Sequence, residues 1–388
     1  MSPLKDHPDI GIFFGRPERS HILAEKLRTQ GFQVTLYNRR GLAGTFVFVR
    51  YAFLPAFFRL LSTHHQVYLT SLSFVPSFSL YLNMLVRGLP YVFNATGLKS
   101  AMYRDRSVRW LFPRLAERWV YPALMNRVLA GASRIVCNSR YLQGKLESQF
   151  PGFAYKMTTI YNGINFDLFA SGRRISIEGV PSDAPKLLAT MTWNYEGKTA
   201  GARLLIDAMG LITESYPEAR LIIAAKTNHP RYAQGIEDYL ATRPWKSSIR
   251  VLYNQVNVTD LLASSDLFMY ATPAESNDSL PRAVLEAHAA GLPVVTTATA
   301  GCPEIIEDTV TGFLVAYDAK AIAGRVLDLL KDPGKRQQFG RRGRERVHEL
   351  FSWDHMGEAY ADLFLEIVAD QTQAAKTKSL MQVRGGNP

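Results

Sequence analysis

At 388 residues the chain has room for about two to three domains, and with 47 % hydrophobic, 11 % aromatic and 20 % charged residues it is neither disordered, collagen-like nor a coiled coil. Its two cysteines, Cys137 and Cys302, stand far apart without Cys/His ligand spacing, which argues against a disulfide framework and a zinc site and for a reducing compartment. The net charge of +11 belongs to the first half: residues 1–170 hold 21 Lys and Arg against 8 Asp and Glu, whereas residues 171–388 hold 24 against 26.

The N-terminal MSPLKDHPDIGIFFG places charges and prolines before a short apolar run and lacks the ~7–15-residue apolar core of a signal peptide, so a cytoplasmic chain is expected. From there short apolar runs alternate with helical patterns: IGIFFG, a helix in RSHILAEKLRTQ, FQVTLYN, QVYLTSL, PYVFNATG, a helical stretch over about 108–130, SRIVCNS, a helix in RYLQGKLESQF, and MTTIYNG. Alternation of this kind predicts a parallel sheet covered by helices, a Rossmann-like domain over residues 1–165. The uncharged run from Leu60 to Val86 contains His64, His65, Pro76 and Asn83 and is too interrupted to span a membrane.

A polar, irregular segment over 166–185 reads as a linker. The alternation then restarts: KLLATMTW, ARLLIDAMGLITESYP, ARLIIAAK, RYAQGIEDYLATR, SIRVLYN, VTDLLASS, DLFMYAT, PRAVLEAHAAG, PVVTTA and FLVA predict a second doubly wound domain over 186–350. Amphipathic helices are expected over about 319–331, 333–350 and 353–369, with 351–370 closing the chain. The polar tail 371–388, without apolar periodicity, reads as disordered. Two such domains facing across a cleft would offer two binding edges, since open parallel sheets take ligands at the carboxyl ends of their strands.

The most informative stretch runs from Glu275 to Val315. After the strand DLFMYAT, Asp278 and Ser279 are good N-cap residues and Pro281 suits a first helical turn. The free N–H groups of such a helix form an anion site suited to a pyrophosphate, and Arg282 would add charge-assisted bonds. Glu286, eight residues after Asp278, supplies a second carboxylate, and ionised carboxylates accept hydrogen bonds from ribose and sugar hydroxyls. No Gly-x-Ser-x-Gly elbow, P-loop or GxGxxG occurs, and the histidines show no metal-ligand spacing, so no metal site is indicated. The basic run GKRQQFGRRGRER reads as a solvated helix face, and nucleic acid is not expected as a partner because no nucleic-acid-binding module accompanies it.

DSLPRAVLEAHAAGLPVVTTATAGCPEIIEDTVTGFLV resembles the signature of the family 4 retaining glycosyltransferases of the GT-B fold, with a carboxylate pair before Ala-x-x-x-Gly-x-Pro-Val and a later Gly-Phe-Leu. RSHILAEKLRTQGFQVTLYN, SRIVCNSRYLQGKL, TTIYNGINFDLF, SIRVLYNQVNVTDLLASSDLFMYAT and FSWDHMGEAYADLF extend the resemblance over about residues 9–369. It implies a GT-B enzyme with an acceptor-binding N-terminal domain, a donor-binding second domain and a C-terminal helix returning to the first. The implied reaction moves a hexosyl group, with retention, from a UDP- or GDP-linked sugar to a hydroxyl acceptor in polysaccharide, glycolipid or other glycoconjugate synthesis, with no cofactor besides the donor substrate.

Residue by residue, the resemblance implies Lys198 on the pyrophosphate, Glu286 on the donor ribose and Asp278 on hydroxyls of the transferred sugar. Ser279, Leu280, Pro281 and Arg282 form the helix mouth, and the backbone near Asn254 and Val256 meets the base. Gly15, Asn94, Thr96 and Gly97 occupy acceptor-side positions. Four departures accompany it, one being that FFGRPERS, with Gly15 its one glycine, replaces a Gly-rich first loop. The first carboxylate is Asp rather than Glu, Trp193 or Asn194 stands where a phosphate-binding Arg is expected, and FNATG replaces the segment that carries an acceptor-domain His. The missing Arg and the Asp at 278 motivate the alternative of a non-catalytic GT-B binding or scaffold protein; a GT-B sugar epimerase or phosphorylase is a more remote third reading, since the FSW segment and the 278–315 motif match the transferases better.

The charge distribution adds an acceptor-side expectation. Arg104, Arg106, Arg109, Arg114 and Arg118 recur beside Trp110 and Phe112, a pattern suited to docking on the anionic inner face of the plasma membrane, where a membrane-bound or lipid-linked glycan acceptor would be met.

Overall fold

The computed structural model describes residues 8–13, 17–36, 65–71, 81, 85, 88, 90–95, 121–193, 196–227, 229–254, 257–274, 276 and 278–384. The chain divides into two compact units, Met1–Asn162 with Trp353–Pro388, and Gly163–Ser352. Each is built on a parallel sheet whose described strands number six.

In the first unit β1 (Asp9–Phe13), α1 (Pro17–Thr29), β2 (Gln33–Leu36), β3 (Val67–Ser71), β4 (Tyr91–Ala95), α2 (Tyr121–Gly131), β5 (Arg134–Cys137), α3 (Arg140–Gln149) and β6 (Met157–Thr159) follow in order. The strand order is β2-β1-β3-β4-β5-β6. Both faces of the sheet are covered, as an all-parallel sheet requires. Ile10, Ile12, Leu69, Val92 and Val136 pack with Leu23 and Leu27 of α1 on one face. Tyr68, Tyr91, Phe93 and Ile135 pack with Met125 and Val128 of α2 and Leu142 and Leu146 of α3 on the other. Ser139 caps α3 by accepting from Leu142 N at 3.1 Å.

The second unit opens with a turn of helix, α4 (Phe166–Ala170), capped by Asn165 and carrying buried Phe169, inside the segment expected to be a linker. The residues after it are pinned to the surface of the unit: Arg173 N donates to Asp260 Oδ1 and Ile175 N to Ser264 Oγ, both at 2.8 Å. Then come β7 (Lys186–Thr192), α5 (Glu196–Ser215), β8 (Arg220–Lys226), α6 (Pro230–Ala241), β9 (Ile249–Tyr253), α7 (Val258–Ala263), β10 (Leu267–Tyr270), α8 (Arg282–Ala289), β11 (Val294–Thr297), α9 (Cys302–Ile305), β12 (Gly312–Val315), α10 (Ala319–Lys331) and α11 (Pro333–Leu350). The order β12-β11-β10-β7-β8-β9 reverses direction between β7 and β10, whose pairing brings Leu267 beside Leu187 and Phe268 beside Leu188. A crevice at the carboxyl ends of these two strands is the natural ligand position of such a sheet.

The last helix, α12 (Trp353–Arg384), belongs to the first unit. Met356, Tyr360, Leu363, Phe364 and Ile367 recur at helical spacing and are buried against α1 and the sheet. Asn94 Nδ2 donates to Tyr360 Oη at 2.5 Å and Lys26 pairs with Asp354 at 2.5 Å. Arg134 reaches Glu366 and, at 3.3 Å, Asp370. The helix continues through residues 371–384, where the composition suggested a disordered tail. Ala, Gln, Lys, Leu and Met are good helix formers, and Gly and Pro enter only from Gly385. Among the described residues no helix is long and apolar enough to cross a membrane.

Candidate active site

The reversal between β7 and β10 gathers the chemistry. Lys198 lies in the first turn of α5, directly after β7, and Tyr270 ends β10. A Cβ on Gly201 would overlap the carbonyl oxygen of Ala271, so the glycine lets α5 dock against the end of β10 and brings Lys198 to Tyr270. Lys198 Nζ donates to Tyr270 Oη at 2.7 Å and pairs with Asp278 Oδ2, and Tyr270 Oη donates to the same oxygen at 2.5 Å. The Lys198 and Asp278 side chains are only 13 % and 17 % exposed, so their attraction is little screened by water.

A second glycine holds Asp278 in place. Gly301 N donates to Asp278 O at 3.3 Å, and a Cβ on Gly301 would overlap the carbonyl oxygen of Ser279. Thr297 and Thr299, from the end of β11, donate their hydroxyls to Thr272 O at 3.1 and 2.6 Å. The loops after β10 and β11 are thereby tied together at the carboxyl edge of the sheet.

The cap of α8 departs from expectation. Its N-cap is Pro281 and no side chain accepts there, because Asp278 is engaged with Lys198 and Tyr270 and Ser279 is buried before the helix starts. The first-turn N–H groups therefore lack a side-chain cap, which suits an incoming anion. Arg282 stands half-exposed at this mouth with Nη2 3.5 Å from Glu286 Oε1. Burial pushes the Glu286 carboxyl up to about 7, with Arg282 opposing the shift. Among the described residues no group of three His, Cys, Asp or Glu could hold a metal ion.

Residues 194–346, which contain all of these elements from the first turn of α5 onward, match the family model of Glycosyl transferases group 1. Over these residues the chain is similar to the group 1 glycosyl transferases. Spore coat protein SA of Bacillus subtilis (strain 168) is 26 % identical over 241 residues, 58 % of this chain and 63 % of that protein. The D-inositol 3-phosphate glycosyltransferase of Streptomyces avermitilis is 26 % identical over 251 residues, 61 % of this chain and 53 % of that one. N-acetyl-alpha-D-glucosaminyl L-malate synthase of Bacillus anthracis is 35 % identical over 124 residues, 31 % and 32 % of the two chains. The matches thus span from about a third to under two thirds of these relatives' lengths. In fold the likeness is wider. Anabaena HepE in complex with UDP superposes with a TM-score of 0.66 over 93 % of this chain and 100 % of that one at 16 % identity. Sucrose-phosphate synthase from Thermosynechococcus elongatus gives 0.65 over 94 % and 100 % at 15 % identity. The architecture is GT-B.

Within the matched residues, Lys198 and Asp278 are in direct contact, and Ser279, Leu280, Pro281, Arg282 and Glu286 continue from Asp278 into α8. Asn254 lies elsewhere on the carboxyl edge, past the end of β9, with a left-handed φ of 51°. Its N–H donates to Ala225 O at 2.7 Å, and its Oδ1 accepts from Thr227 N at 3.2 Å. Trp193 is fully buried, with its ring edge-on to Tyr253 at 5.8 Å. A core side chain therefore occupies one of the two positions, 193 and 194, at either of which the resemblance called for a cationic one. Asn94 belongs to the other unit, at the end of β4, where its amide holds α12. Val256, Gly15, Thr96, Gly97 and Asn194 lie outside the described residues, as do Arg104, Arg106, Arg109, Trp110, Phe112, Arg114 and Arg118. The sequence reading missed Tyr270, Gly201 and Gly301. A lone phenol ending an otherwise apolar strand, and a glycine early in a helix that follows a strand, are the available signals.

Proposed function

We propose that the chain is a glycosyltransferase of the hexosyl-transferring kind, moving a sugar from a nucleotide-diphosphate donor to a hydroxyl acceptor. The observation that carries this is the Lys198–Tyr270–Asp278 cluster at the β7/β10 reversal, beside a helix N-terminus without a side-chain cap. Departure of a nucleoside diphosphate builds negative charge, which a lysine ammonium and fixed backbone N–H groups stabilise without reorganising. Lys198 and the mouth of α8, with Arg282, take the diphosphate. Glu286, once ionised, accepts from ribose hydroxyls, and Asp278 accepts from a hydroxyl of the transferred sugar. The Asn254 and Val256 backbone meets the base. Retention at the anomeric carbon follows from the family resemblance.

The donor is UDP- or GDP-linked; the crystal structures of Anabaena HepE with UDP and with UDP-glucose favour the uridine form. The acceptor is a lipid-linked or otherwise membrane-bound glycan, reached by peripheral docking of the basic N-terminal half on an anionic leaflet. The excess of Lys and Arg over residues 1–170 supports this. The second reading, a non-catalytic GT-B binding protein, is favoured by the buried Trp193 and by the engagement of Asp278 with Lys198. Transfer from labelled UDP- and GDP-sugars by purified protein, compared with Glu286→Ala, separates the two. Turnover that falls at least about tenfold in the variant supports the enzyme, and nucleotide binding without turnover in any donor supports the second reading.

A further inference from the structure

Tyr270 sits in the middle of the second unit's sheet, between β7 and β11, and is 1 % exposed. Its hydroxyl accepts from Lys198 Nζ at 2.7 Å and donates to Asp278 Oδ2 at 2.5 Å, and Lys198 pairs with that same oxygen. The ammonium also lies 5.2 Å from the centroid of the Tyr270 ring. Three groups from three segments, the first turn of α5, the end of β10 and the loop before α8, thus close a triangle. A lysine ammonium on its four-carbon stem is otherwise poorly fixed. Here two of its three donors are occupied and one is left over, while Asp278 Oδ1 takes no part in the triangle. The carboxylate at 278 is one methylene shorter than the glutamate of the resembled signature, and the phenol reaches it from the strand end.

We propose that Tyr270 is a positioning residue for the donor: it holds the Lys198 ammonium and the Asp278 carboxylate in one arrangement. The remaining ammonium N–H then meets the diphosphate of a nucleotide sugar, and Asp278 Oδ1 meets a hydroxyl of its glycosyl group. This rests on the donor reading given above. Tyr270 does not touch the reacting atoms; it acts through its two partners. Tyr270→Phe keeps the buried ring and loses only the hydroxyl, so the fold is conserved while the triangle opens.

Two measurements test it together. In the ligand-free full chain, competitive acetylation read by mass spectrometry compares Lys198 with the exposed Lys331 as internal standard. Tyr270→Phe is expected to raise the relative labelling of Lys198 several-fold with an unchanged melting temperature. An unchanged labelling ratio overturns the proposal without reference to any donor. In calorimetric titration with UDP, Tyr270→Phe is expected to weaken binding about 3- to 10-fold, the worth of one hydrogen bond. Lys198→Ala is expected to weaken it more, and the double variant no further than Lys198→Ala alone. Losses that simply add would show that Tyr270 does not work through Lys198 and would overturn the proposal. If the wild-type chain binds neither UDP nor GDP, the donor reading fails, and the labelling ratio by itself still decides whether Tyr270 positions Lys198.

Discussion

Glu286 is the residue whose titration matters most. Its carboxyl is pushed up to about 7 by burial, so near neutral pH a large part of the unliganded protein holds it protonated, with one oxygen turned from acceptor to donor and the proposed pair of ribose contacts weakened. UDP binding is therefore expected to strengthen as pH rises from 6 to 8, by up to about tenfold beyond the nucleotide's own phosphate titration. Calorimetry at several pH values on wild type and Glu286→Gln isolates this component as their difference; parallel curves would show that Glu286 does not meet the ribose. Gly201 is the residue most exposed to steric change. Gly201→Ala places a methyl on the Ala271 carbonyl oxygen, so α5 must move off β10. The expected result is a loss of about 1–3 kcal/mol in denaturant unfolding, together with weakened UDP binding because Lys198 moves with its helix.

At the scale of the element, α8 carries two groups that pull stability in opposite directions. Glu286 binds its proton more tightly folded than unfolded, rising from 4.5 to about 7, so stability falls as pH rises across that window. His288 is lowered from 6.5 to about 4 by complete burial beside Gly343 of α11, so stability falls as pH drops from about 6.5 to 4. Glu286→Gln removes the first slope and keeps the second. Between pH 5 and 8 the variant is expected to gain on wild type by about 2–3 kcal/mol, and unfolding curves at the two pH values read this directly. For α12 the anchor is Phe364, fully buried in the core it shares with α1. Phe364→Ala is expected to cost about 3–5 kcal/mol, and a change below about 1 kcal/mol would mean that the helix is not held by that core.

Element order was readable because parallel strands buried on both faces appear as short apolar runs, and the helices between them carry a 3.6-residue period. The apolar runs in KLLATMT and RLIIAAK, and the bounds of α10 and α11, needed nothing more. Less legible was what proximity decides. Asp278 reads as an N-cap from its neighbours, but a lysine 80 residues earlier and the Tyr270 phenol claim its carboxylate, and Pro281 ends as the cap. Polar composition without apolar periodicity suggested disorder over residues 371–384, although their local propensity, free of helix breakers, favours the helix found there.

For the whole molecule, the uneven charge is the feature with the widest consequence. The excess of basic residues over 1–170 is expected to bring the chain onto vesicles containing anionic lipid, with binding that weakens as salt screens the surface and in Arg106/Arg109/Arg114→Glu. Co-sedimentation that is indifferent to lipid charge would remove the membrane-bound acceptor from the reading. The central claim, glycosyl transfer driven by the cluster at the β7/β10 reversal, is tested most directly by one comparison. The rate at which purified protein consumes UDP- and GDP-linked sugars is measured for wild type and for Lys198→Ala. The expected result is turnover of one donor by wild type and a loss of at least about a hundredfold in the variant, the scale of removing one donor to a developing oxyanion. Equal rates for the two proteins would contradict the account.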